Sequence, residues 1–248
     1  ETLATARKDV LVLQQKKIIG NKVCAGGLTR NTMKLGIPKS LFQRSFKKIV
    51  LHDTTETVEV ELDKTVVATI DRKDLGRWMA NKAKKAGAEI ETETRVKNIG
   101  KNFIETGADL AYKGIKLNTV KNNFDAWRRQ RGYDTKNAEF QAHIINYDYQ
   151  GYNFGKKFLI GDAGGFASGL TGGGMYQAMI SGKEVAKKII SPKYACPEIQ
   201  NILHTKAIEE AVLGALEINK TATKIGYALI AKMCKTQLLG RFFAEHLG

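Results

Sequence analysis

The glycine-rich segment at residues 158–190, FLIGDAGGFASGLTGGGMYQAMISGKEVAKKII, limits the folds open to this chain more than any other feature. An apolar run leads into Gly161 and Asp162, small residues follow, and an amphipathic helix begins near three consecutive glycines. Free N–H groups at a helix N-terminus bind phosphate, and glycines let a phosphate or a flat ring approach the main chain. A carboxylate at a strand end can accept hydrogen bonds from sugar or polyol hydroxyls. The segment therefore predicts a strand–loop–helix unit that binds a dinucleotide such as FAD; the alternative is a tight connection whose glycines serve packing alone.

The composition is that of a globular protein with a strongly basic surface. The 248 residues are 43% hydrophobic, which suffices for one large domain or two small ones with a real core. The formal net charge of +15 favours a polyanionic neighbour, which could be a nucleic acid, an anionic lipid surface or a phosphate-bearing ligand. A lysine-rich solvated surface without a specific partner is the alternative.

Cysteine and histidine spacing argues against metal or disulfide chemistry. Cys24, Cys196 and Cys234 are far apart and form no CxxC pair, and the four histidines show no ligand spacing, so we predict no metal site and no disulfide framework. A reducing cytoplasm is the expected setting. No run of 18 or more apolar residues occurs, so we predict no membrane-spanning segment.

Periodicity predicts an α/β chain. DVLVL at Asp9–Leu13 is typical of a buried parallel strand, preceded by the tail of a helix, and the alternation over residues 46–70 indicates antiparallel strands or a hairpin. Helices are predicted at 71–87, 172–190 and 198–247, and AEIETETRV, which follows the first of these helices, is a further strand.

The glycine-rich segment resembles the second flavin-binding motif of FAD-dependent reductases and hydroxylases of the para-hydroxybenzoate hydroxylase type, and within that group the geranylgeranyl reductase family. The typical motif is a Gly-Asp strand end, a glycine-rich turn, and a helix with small residues on one side. Gly173 stands where the family often has Glu. The matching residues, in order, are Gly161, Asp162, Ala163, Gly165, Gly172, Gly174, Ala178, Ser181, Gly182 and Ala186.

Three further segments resemble the same family in the same order. The turn CAGGL resembles the family's Cys-Gly-Gly-Gly-Leu turn, with Ala25 in place of one glycine; TGADLAYKG resembles its Gly-Ala-Asp-Gly motif, with Leu110 in place of the second glycine. In the helix that begins near Arg72, the resemblance implies that this arginine faces the ribityl or pyrophosphate group, and it places Arg95-Val96 beside the adenine. The cofactor-binding residues implied by the resemblance or by their place in the motifs are Gln14, Cys24, Gly26, Gly27, Arg72, Val96, Asp109, Gly161, Asp162, Gly172, Gly173, Gly174 and Met175.

The chain departs from the family pattern at defined places. No G-x-G-x-x-G precedes Asp9, and Gln14 stands where an acidic residue usually binds the adenosine ribose. Asp109 and Gly161 are 52 positions apart, which is too few for the family's substrate domain. We therefore expect a chain that is truncated at the N-terminus and shortened in the substrate domain.

The resemblance implies a Rossmann-like FAD-binding domain with a reduced antiparallel β substrate region and a C-terminal helical segment. The FAD-binding domain is expected at 1–110 and 155–191, the substrate-domain remnant at 111–154 and the C-terminal helices at 192–248. The last segment either packs on the flavin domain or forms an amphipathic helix on an anionic membrane surface.

The implied function is FAD-dependent reduction of carbon–carbon double bonds in isoprenoid chains, with NAD(P)H or ferredoxin as electron donor. Cys24 is the candidate catalytic residue, as a proton donor or flavin-facing thiol; its alternative is a small buried hydrophobe. Three alternatives stay open: a flavin-dependent monooxygenase, a non-catalytic flavoprotein remnant, and a nucleic-acid binder using the basic and aromatic segment WRRQRGY, which we rank last.

Overall fold

The computed structural model describes residues 1–22, 24, 26–52, 57–99, 104–106, 122, 125–126, 128–130, 132, 145–217, 225–226 and 229. Both helices and strands occur in these ranges, which confirms the predicted mixed α/β class. The helical elements are α1 (Thr2–Thr5), α2 (Arg30–Met33), a 3₁₀ turn (Lys39–Leu41), α3 (Arg72–Lys85), a second 3₁₀ turn (Gly161–Gly164), α4 (Met175–Ile190) and α5 (Pro197–Glu217). The strands are β1 (Leu11–Leu13), β2 (Gly27–Thr29), β3 (Phe42–Phe46), β4 (Lys48–His52), β5 (Thr57–Glu61), β6 (Val67–Ile70), β7 (Glu89–Glu91), β8 (Val96–Ile99), β9 (Ile104–Thr106), β10 (Asn153–Phe154) and β11 (Lys157–Phe158).

One parallel strand pair and several antiparallel units organise the described chain. β1 pairs in parallel with β7, which follows α3, as in the Rossmann-like unit that the sequence predicts. β6 lies between β2 and β3 in an antiparallel sheet, and β4 and β5 form the hairpin expected within residues 46–70. The antiparallel content therefore agrees with the predicted fold, although the strands are short.

The predicted burial of β1 is wrong. Leu11 is 53% exposed and Val12 is 40% exposed, although the strand has the continuous apolar run of a buried parallel strand. Within the described residues β1 pairs with β7 alone. A two-stranded ribbon leaves one edge and much of each face uncovered, and apolar side chains on it stay in contact with solvent.

Helix α3 forms where the sequence predicts it, because both of its ends carry standard signals. The carboxylate of Asp71 accepts a hydrogen bond from the amide of Lys73 at 2.6 Å, which caps the first turn. Three lysines occupy the last turn, and Gly87 follows in the left-handed region with φ of 98°. Leu75 is fully buried on the inner face, whereas Met79, predicted on the same face, is 40% exposed.

Three hydrophobic clusters make up the described core. Leu28, Ile70 and Leu75 belong to the first, which joins the β2–β6–β3 sheet to α3 and is contacted by Met175 at the start of α4. Phe166 and Ile199 belong to the second, which joins the glycine-rich turn to α4 and α5. The third lies along β5 and the segment that follows it, and it comprises Val58, Val60, Leu62 and Val66. The first two clusters fix the glycine-rich turn and α4 relative to α3.

The prediction of an apolar strand that ends at Asp162 is wrong. β11 has only two residues and pairs with β10 in an antiparallel hairpin, and Ile160 is 43% exposed. Gly161 then begins a 3₁₀ turn with φ of 53°, so Asp162 lies within a turn rather than at the end of a buried strand. Glycines at 151 and 155 have positive φ, which favours this local hairpin over an extended strand.

The helical prediction for the C-terminal part is confirmed over residues 197–217, where α5 lies. The proposed membrane-surface helix falls on residues 218–243, of which only 225, 226 and 229 are described. Among the residues that the structure describes, no helix combines the length and the apolar composition needed to cross a bilayer. The domain boundaries remain predictions, and most of the expected substrate-domain remnant lies outside the described residues.

Candidate functional site

A cavity of about 540 Å³ opens at the end of the β1–β7 pair. Four of its lining residues are cationic, and none of the described lining residues is acidic. A concentration of positive charge in a concave site favours a ligand that carries phosphate groups. The lining residues are Leu13, Gln14, Gln15, Lys16, Gly20, Asn21, Lys22, Arg72, Thr94, Arg95 and Val96.

Backbone hydrogen bonds hold Gln14 at the point where β1 ends. Its amide donates to the carbonyl of Glu91 at 2.8 Å, and its own carbonyl accepts from the amide of Thr94 at 2.9 Å. The segment Thr94–Val96 is thereby tied beside Gln14, and all of these residues line the cavity. The structure thus brings together Gln14 and Val96, which the sequence placed at the adenosine end of a dinucleotide.

The loop after β1 packs directly on the backbone of α3. Gly20 has φ of 80°, and a Cβ built on it would lie 2.3 Å from the carbonyl oxygen of Arg72. A Cβ on Gly76 would in turn lie 2.7 Å from the Cα of Gly20. Side chains at either position would force the loop away from the helix, so the two glycines bring Lys16 and Lys22 to the same cavity as Arg72.

Arg72 joins the cavity to the start of α4. It is the first residue of α3, and its Nη1 lies 3.4 Å from the sulfur of Met175, the first residue of α4. Its Nε is buried without a hydrogen-bond partner among the described residues. A buried guanidinium N–H without an acceptor is costly, and a ligand phosphate would satisfy it.

Lys22 connects the cavity to the glycine-rich turn. Its ammonium forms an ion pair with the carboxylate of Asp162, and both side chains are partly exposed. The backbone carbonyl of Asp162 accepts a hydrogen bond from Asn146 at 2.9 Å, which holds the turn in place. Asp162 therefore lies next to the cavity, although it does not line it.

Gly161 is required at its position by close packing against α4. Its amide donates to the hydroxyl of Ser181 at 3.0 Å, and a Cβ on it would lie 2.9 Å from the Cβ of Ala178. The small residues Ala178 and Ser181, which the motif contains, therefore allow the 3₁₀ turn to lie against the helix.

The three glycines before α4 form the approach to its N-terminus. Gly174 is the N-cap, and within the described part of the chain no side-chain hydrogen bond caps the first turn of this 16-residue helix. Gly172 has φ of 67°, and the carbonyl of Gly173 accepts from the amide of Ser168 at 2.8 Å. A Cβ on Gly174 would lie 3.3 Å from a carboxylate oxygen of Asp162, so the acid and the helix start are adjacent.

The turn that contains Cys24 lies outside the cavity. Cys24 is exposed, and its sulfur accepts a weak hydrogen bond from the amide of Gly26 at 3.4 Å. Gly26 has φ of 70° and lies on the carbonyl of Ile70, while Gly27 begins β2. The alternative of a buried thiol is thus wrong for Cys24.

Asp109, another of the predicted cofactor-binding residues, lies outside the described residues.

The buried carboxylate of Glu184 ties α4 to the segment that leads into α5. Glu184 is 1% exposed and accepts hydrogen bonds from Lys187 at 2.7 Å, from Tyr194 at 3.0 Å and from the amide of Glu198 at 3.2 Å. Burial by itself raises the pKa of Glu184, but these hydrogen bonds outweigh it, so the pKa lies below its ordinary value. The start of α5 is thereby tied to α4.

Sequence reasoning missed the contribution of the loop after β1. Lys16, Gly20 and Lys22 had no place in the predicted site, although the sequence QQKKIIGNK shows three lysines and a glycine directly after a strand. That pattern, at the carboxyl end of a parallel strand, is the signal that could have identified this loop as part of the cavity.

The fold and the site together define an α/β protein with a cationic cavity at the end of a parallel strand pair. No protein-family model and no curated protein matches the chain. Solved structures with this fold include a geranylgeranyl bacteriochlorophyll reductase-like protein from Thermoplasma acidophilum, which is 15% identical with a TM-score of 0.71 over 99% of this chain and 92% of that one.

Two further solved structures share the fold. PqsL from Pseudomonas aeruginosa, described as a probable FAD-dependent monooxygenase, is 11% identical with a TM-score of 0.58, over 97% of this chain and 94% of that chain. A variant of PqsL is 12% identical with a TM-score of 0.59, over 97% of this chain and 95% of that chain. These likenesses confirm the predicted fold, and the first is with a protein whose description matches the family that the sequence motifs resemble.

Proposed function

We propose that this chain is an FAD-dependent oxidoreductase that reduces carbon–carbon double bonds of isoprenoid chains. The observation that carries the proposal is the placement of Arg72, which lines the cationic cavity and also contacts Met175 at the start of α4. Two motifs that are 103 positions apart in the sequence thus meet around one arginine. The descriptions of the structural neighbours support a flavin enzyme.

The residues present fit the nucleotide part of FAD. Arg72 and Lys22 supply donors for a pyrophosphate, and the buried Nε of Arg72 needs an acceptor. Gln14 can hydrogen-bond ribose hydroxyls, and Val96 offers an apolar contact for adenine. Asp162, beside the uncapped start of α4, is placed to accept hydrogen bonds from a polyol chain once Lys22 turns to a phosphate.

Bound FAD in its reduced form would supply the hydride for reduction of an alkene. The role of the chain is to orient the substrate and to exclude water. Ile145, Tyr147, Phe154 and Ile160, in the segment before the glycine-rich turn, are each more than 40% exposed. Tyr147 lies against Gly169 and Ile145 lies near Gly172, so this apolar surface adjoins the turn and supports an apolar chain as substrate.

We further propose Cys24 as the proton donor of the reaction. Its thiol is exposed, two positions from Lys22, whose ammonium reaches Asp162. Replacing Cys24 with Ser keeps a proton-bearing group, whereas replacing it with Ala removes it. Alkene reduction is expected to survive better in Cys24→Ser than in Cys24→Ala, with equal FAD retention in both; equal rates would exclude the role.

A flavin-dependent monooxygenase is the second candidate. It is favoured by the fold similarity to PqsL, at a TM-score of 0.58 over 97% of this chain. The same nucleotide cavity would serve both reactions, so the cavity does not distinguish them. Oxygen consumption that depends on a reduced nicotinamide donor and on an aromatic substrate would favour the monooxygenase, whereas anaerobic saturation of an isoprenoid double bond would favour the reductase.

The first experiment is an absorption spectrum of the purified chain, recorded after incubation with FAD and desalting. We expect bands of protein-bound flavin for the unchanged chain and for Arg77→Gln, whose arginine lies on the exposed side of the same helix. We expect their loss in Arg72→Gln. A colourless chain, or equal retention in both variants, would overturn the proposal; a non-catalytic remnant would account for the first result.

A further inference from the structure

The ammonium of Lys206 is buried where α5 meets the loop that leads into α4, at residues 165–174. Lys206 is 4% exposed, and its ammonium donates to the carbonyls of Tyr147 and Ala167, at 2.5 and 2.9 Å. It also pairs with the carboxylate of Glu210 at 2.8 Å. An ammonium has three N–H donors, and a buried charge is tolerated only where it has such partners. The contacts therefore fix the ammonium relative to both carbonyls.

Ala167 belongs to a loop that is closed on itself. The amide of the next residue, Ser168, donates to the carbonyl of Gly173 at 2.8 Å, and its hydroxyl accepts from the amide of Thr171 at 3.0 Å. A Cβ built on Gly174, the N-cap of α4, would lie 3.5 Å from the Cβ of Ala167. A displacement of Ala167 is therefore passed on to the start of α4.

The segment at residues 145–149 packs on the same loop. A Cβ built on Gly165 would lie 2.1 Å from the carbonyl oxygen of Asp148, so the two backbones are in direct contact. The carbonyl of Tyr147 accepts from the ammonium of Lys206, which also lies 5.6 Å from the centre of the tyrosine ring. One ammonium thus holds both the loop and the segment that packs on it.

We propose that Lys206 is a positioning residue for the flavin half of FAD. It does not line the cavity that holds Arg72 and Lys22, but it fixes the loop in which Gly174 adjoins the carboxylate of Asp162. Loss of the ammonium loosens the binding surface for the flavin and its polyol chain, whereas the residues that bind the pyrophosphate keep their places. The inference rests on the proposed function, because it takes FAD as the ligand of the site.

The test compares FAD with ADP, which contains the adenine nucleotide half of FAD and no flavin. Binding of each ligand to the unchanged chain and to Lys206→Met is measured by isothermal titration calorimetry at fixed salt. Affinity falls in proportion to the fraction of molecules in which the binding surface is formed, so we expect FAD affinity to fall roughly tenfold and ADP affinity to change by less than about twofold. Unchanged FAD affinity, or an equal loss for both ligands in a folded variant, would overturn the inference.

Two control variants separate positioning from general stability. Glu210→Gln removes the partner whose side chain is 44% exposed, and it leaves the ammonium on the two carbonyls. Leu62→Ala lowers the free energy of unfolding in the third hydrophobic cluster, whose described members lie within residues 49–67. Both variants are expected to keep the FAD and ADP affinities of the unchanged chain. A loss of FAD affinity in Leu62→Ala as large as that in Lys206→Met would assign the effect to stability and contradict the proposal.

Unfolding curves establish that each variant is folded at the temperature of the titration. If Lys206→Met is unfolded there, Lys206→Arg makes the same comparison, because it keeps the charge and displaces the two carbonyls with a larger group. A lower ratio of FAD affinity to ADP affinity in Lys206→Arg supports the inference, and an unchanged ratio overturns it.

The results separate this inference from the proposed function. An unchanged chain that binds FAD, with the same affinity in Lys206→Met, overturns the inference and leaves the flavin proposal standing. An unchanged chain that binds ADP but not FAD overturns the flavin proposal, and the role of Lys206 with it.

Discussion

Lys22, in the loop after β1, and Asp162, in the glycine-rich turn, form an ion pair although they are 140 positions apart in the sequence. Their side chains are 43% and 31% exposed, so water screens the pair and its contribution to folding is small. A weak pair between two residues of a candidate binding site is easily exchanged for contacts with a ligand. This relationship leads to the first prediction.

Replacing Lys22 with Met is expected to change the free energy of unfolding by less than about 1 kcal/mol, because the pair is partly exposed. FAD affinity is expected to fall by roughly tenfold, because a phosphate contact to a charged group is lost. Urea denaturation and a fluorescence titration with FAD measure the two effects. Lys17→Met, an exposed neighbour outside the cavity lining, is the matched control. Unchanged FAD affinity in Lys22→Met would show that Lys22 does not contact the ligand.

Substitutions at Gly26 and Gly36 distinguish two contributions to stability, which are backbone conformation and close packing. Both have positive φ, 70° and 81°, but a Cβ on Gly26 would lie 2.2 Å from the carbonyl oxygen of Ile70, whereas a Cβ on Gly36 meets no atom of the described residues within 4 Å. Gly36→Ala is expected to lower the free energy of unfolding by about 1–2 kcal/mol through backbone strain alone. Gly26→Ala is expected to lower it further, because β2 must move away from β6.

Thermal or urea unfolding of the two variants measures the difference. Equal destabilisation would mean that the backbone near Gly26 relaxes without cost. Because Gly26 belongs to the turn that contains Cys24, the stability of this variant also reports how firmly that turn is held.

Lys206 is expected to hold the glycine-rich turn to α5. It is 4% exposed, and its ammonium donates to the carbonyls of Tyr147 and Ala167, at 2.5 and 2.9 Å, and pairs with Glu210 at 2.8 Å. Lys206→Met leaves two carbonyls without this donor, which costs about 1–3 kcal/mol for each unsatisfied group. Urea unfolding measures the loss, and Lys193→Met, at an exposed position, should change stability little. A neutral result for Lys206→Met would mean that water replaces the ammonium.

We expect the titration of Glu184 to lower the free energy of unfolding in acid. Its pKa in the folded chain is below the ordinary value, so its stabilising effect is present above about pH 4.3, the unfolded pKa, and is lost as the pH falls through the folded pKa. Glu184→Gln removes this titration. The stability difference between the unchanged chain and Glu184→Gln should therefore be largest near neutral pH and shrink below about pH 4. Unfolding curves from pH 3 to pH 7 measure it, and a difference that is constant with pH would contradict the assignment.

Local signals were sufficient to predict the elements whose ends they define. Asp71 and Gly87 mark the ends of α3, and the alternating pattern of residues 46–70 predicts the β4–β5 hairpin. The glycines of the motif were placed correctly at the start of α4. Arg72 and Gln14 could be assigned to a common site only through a family resemblance. The residues next to each of them in the sequence carry no signal that the two lie close together in the fold.

The burial of β1 and the strand before Asp162 could not be predicted from the sequence. An apolar run indicates that a strand can be buried, but its burial depends on which elements cover its faces. In the described part of the chain, β1 has one strand partner. The hairpin of β10 and β11 forms where glycines permit turns, and it shortens the strand that the apolar residues suggested.

The sequence by itself determined where α3 and α4 form and where the β4–β5 hairpin lies, since capping, periodicity and glycine placement act over a few neighbouring positions. Only the tertiary structure decided that Lys22 reaches Asp162 and that Gly20 lies on Gly76, since these contacts join segments far apart in the chain. Their physical basis is packing: where no side chain stands between two backbones, loops approach helices closely enough to bring their charges into one cavity.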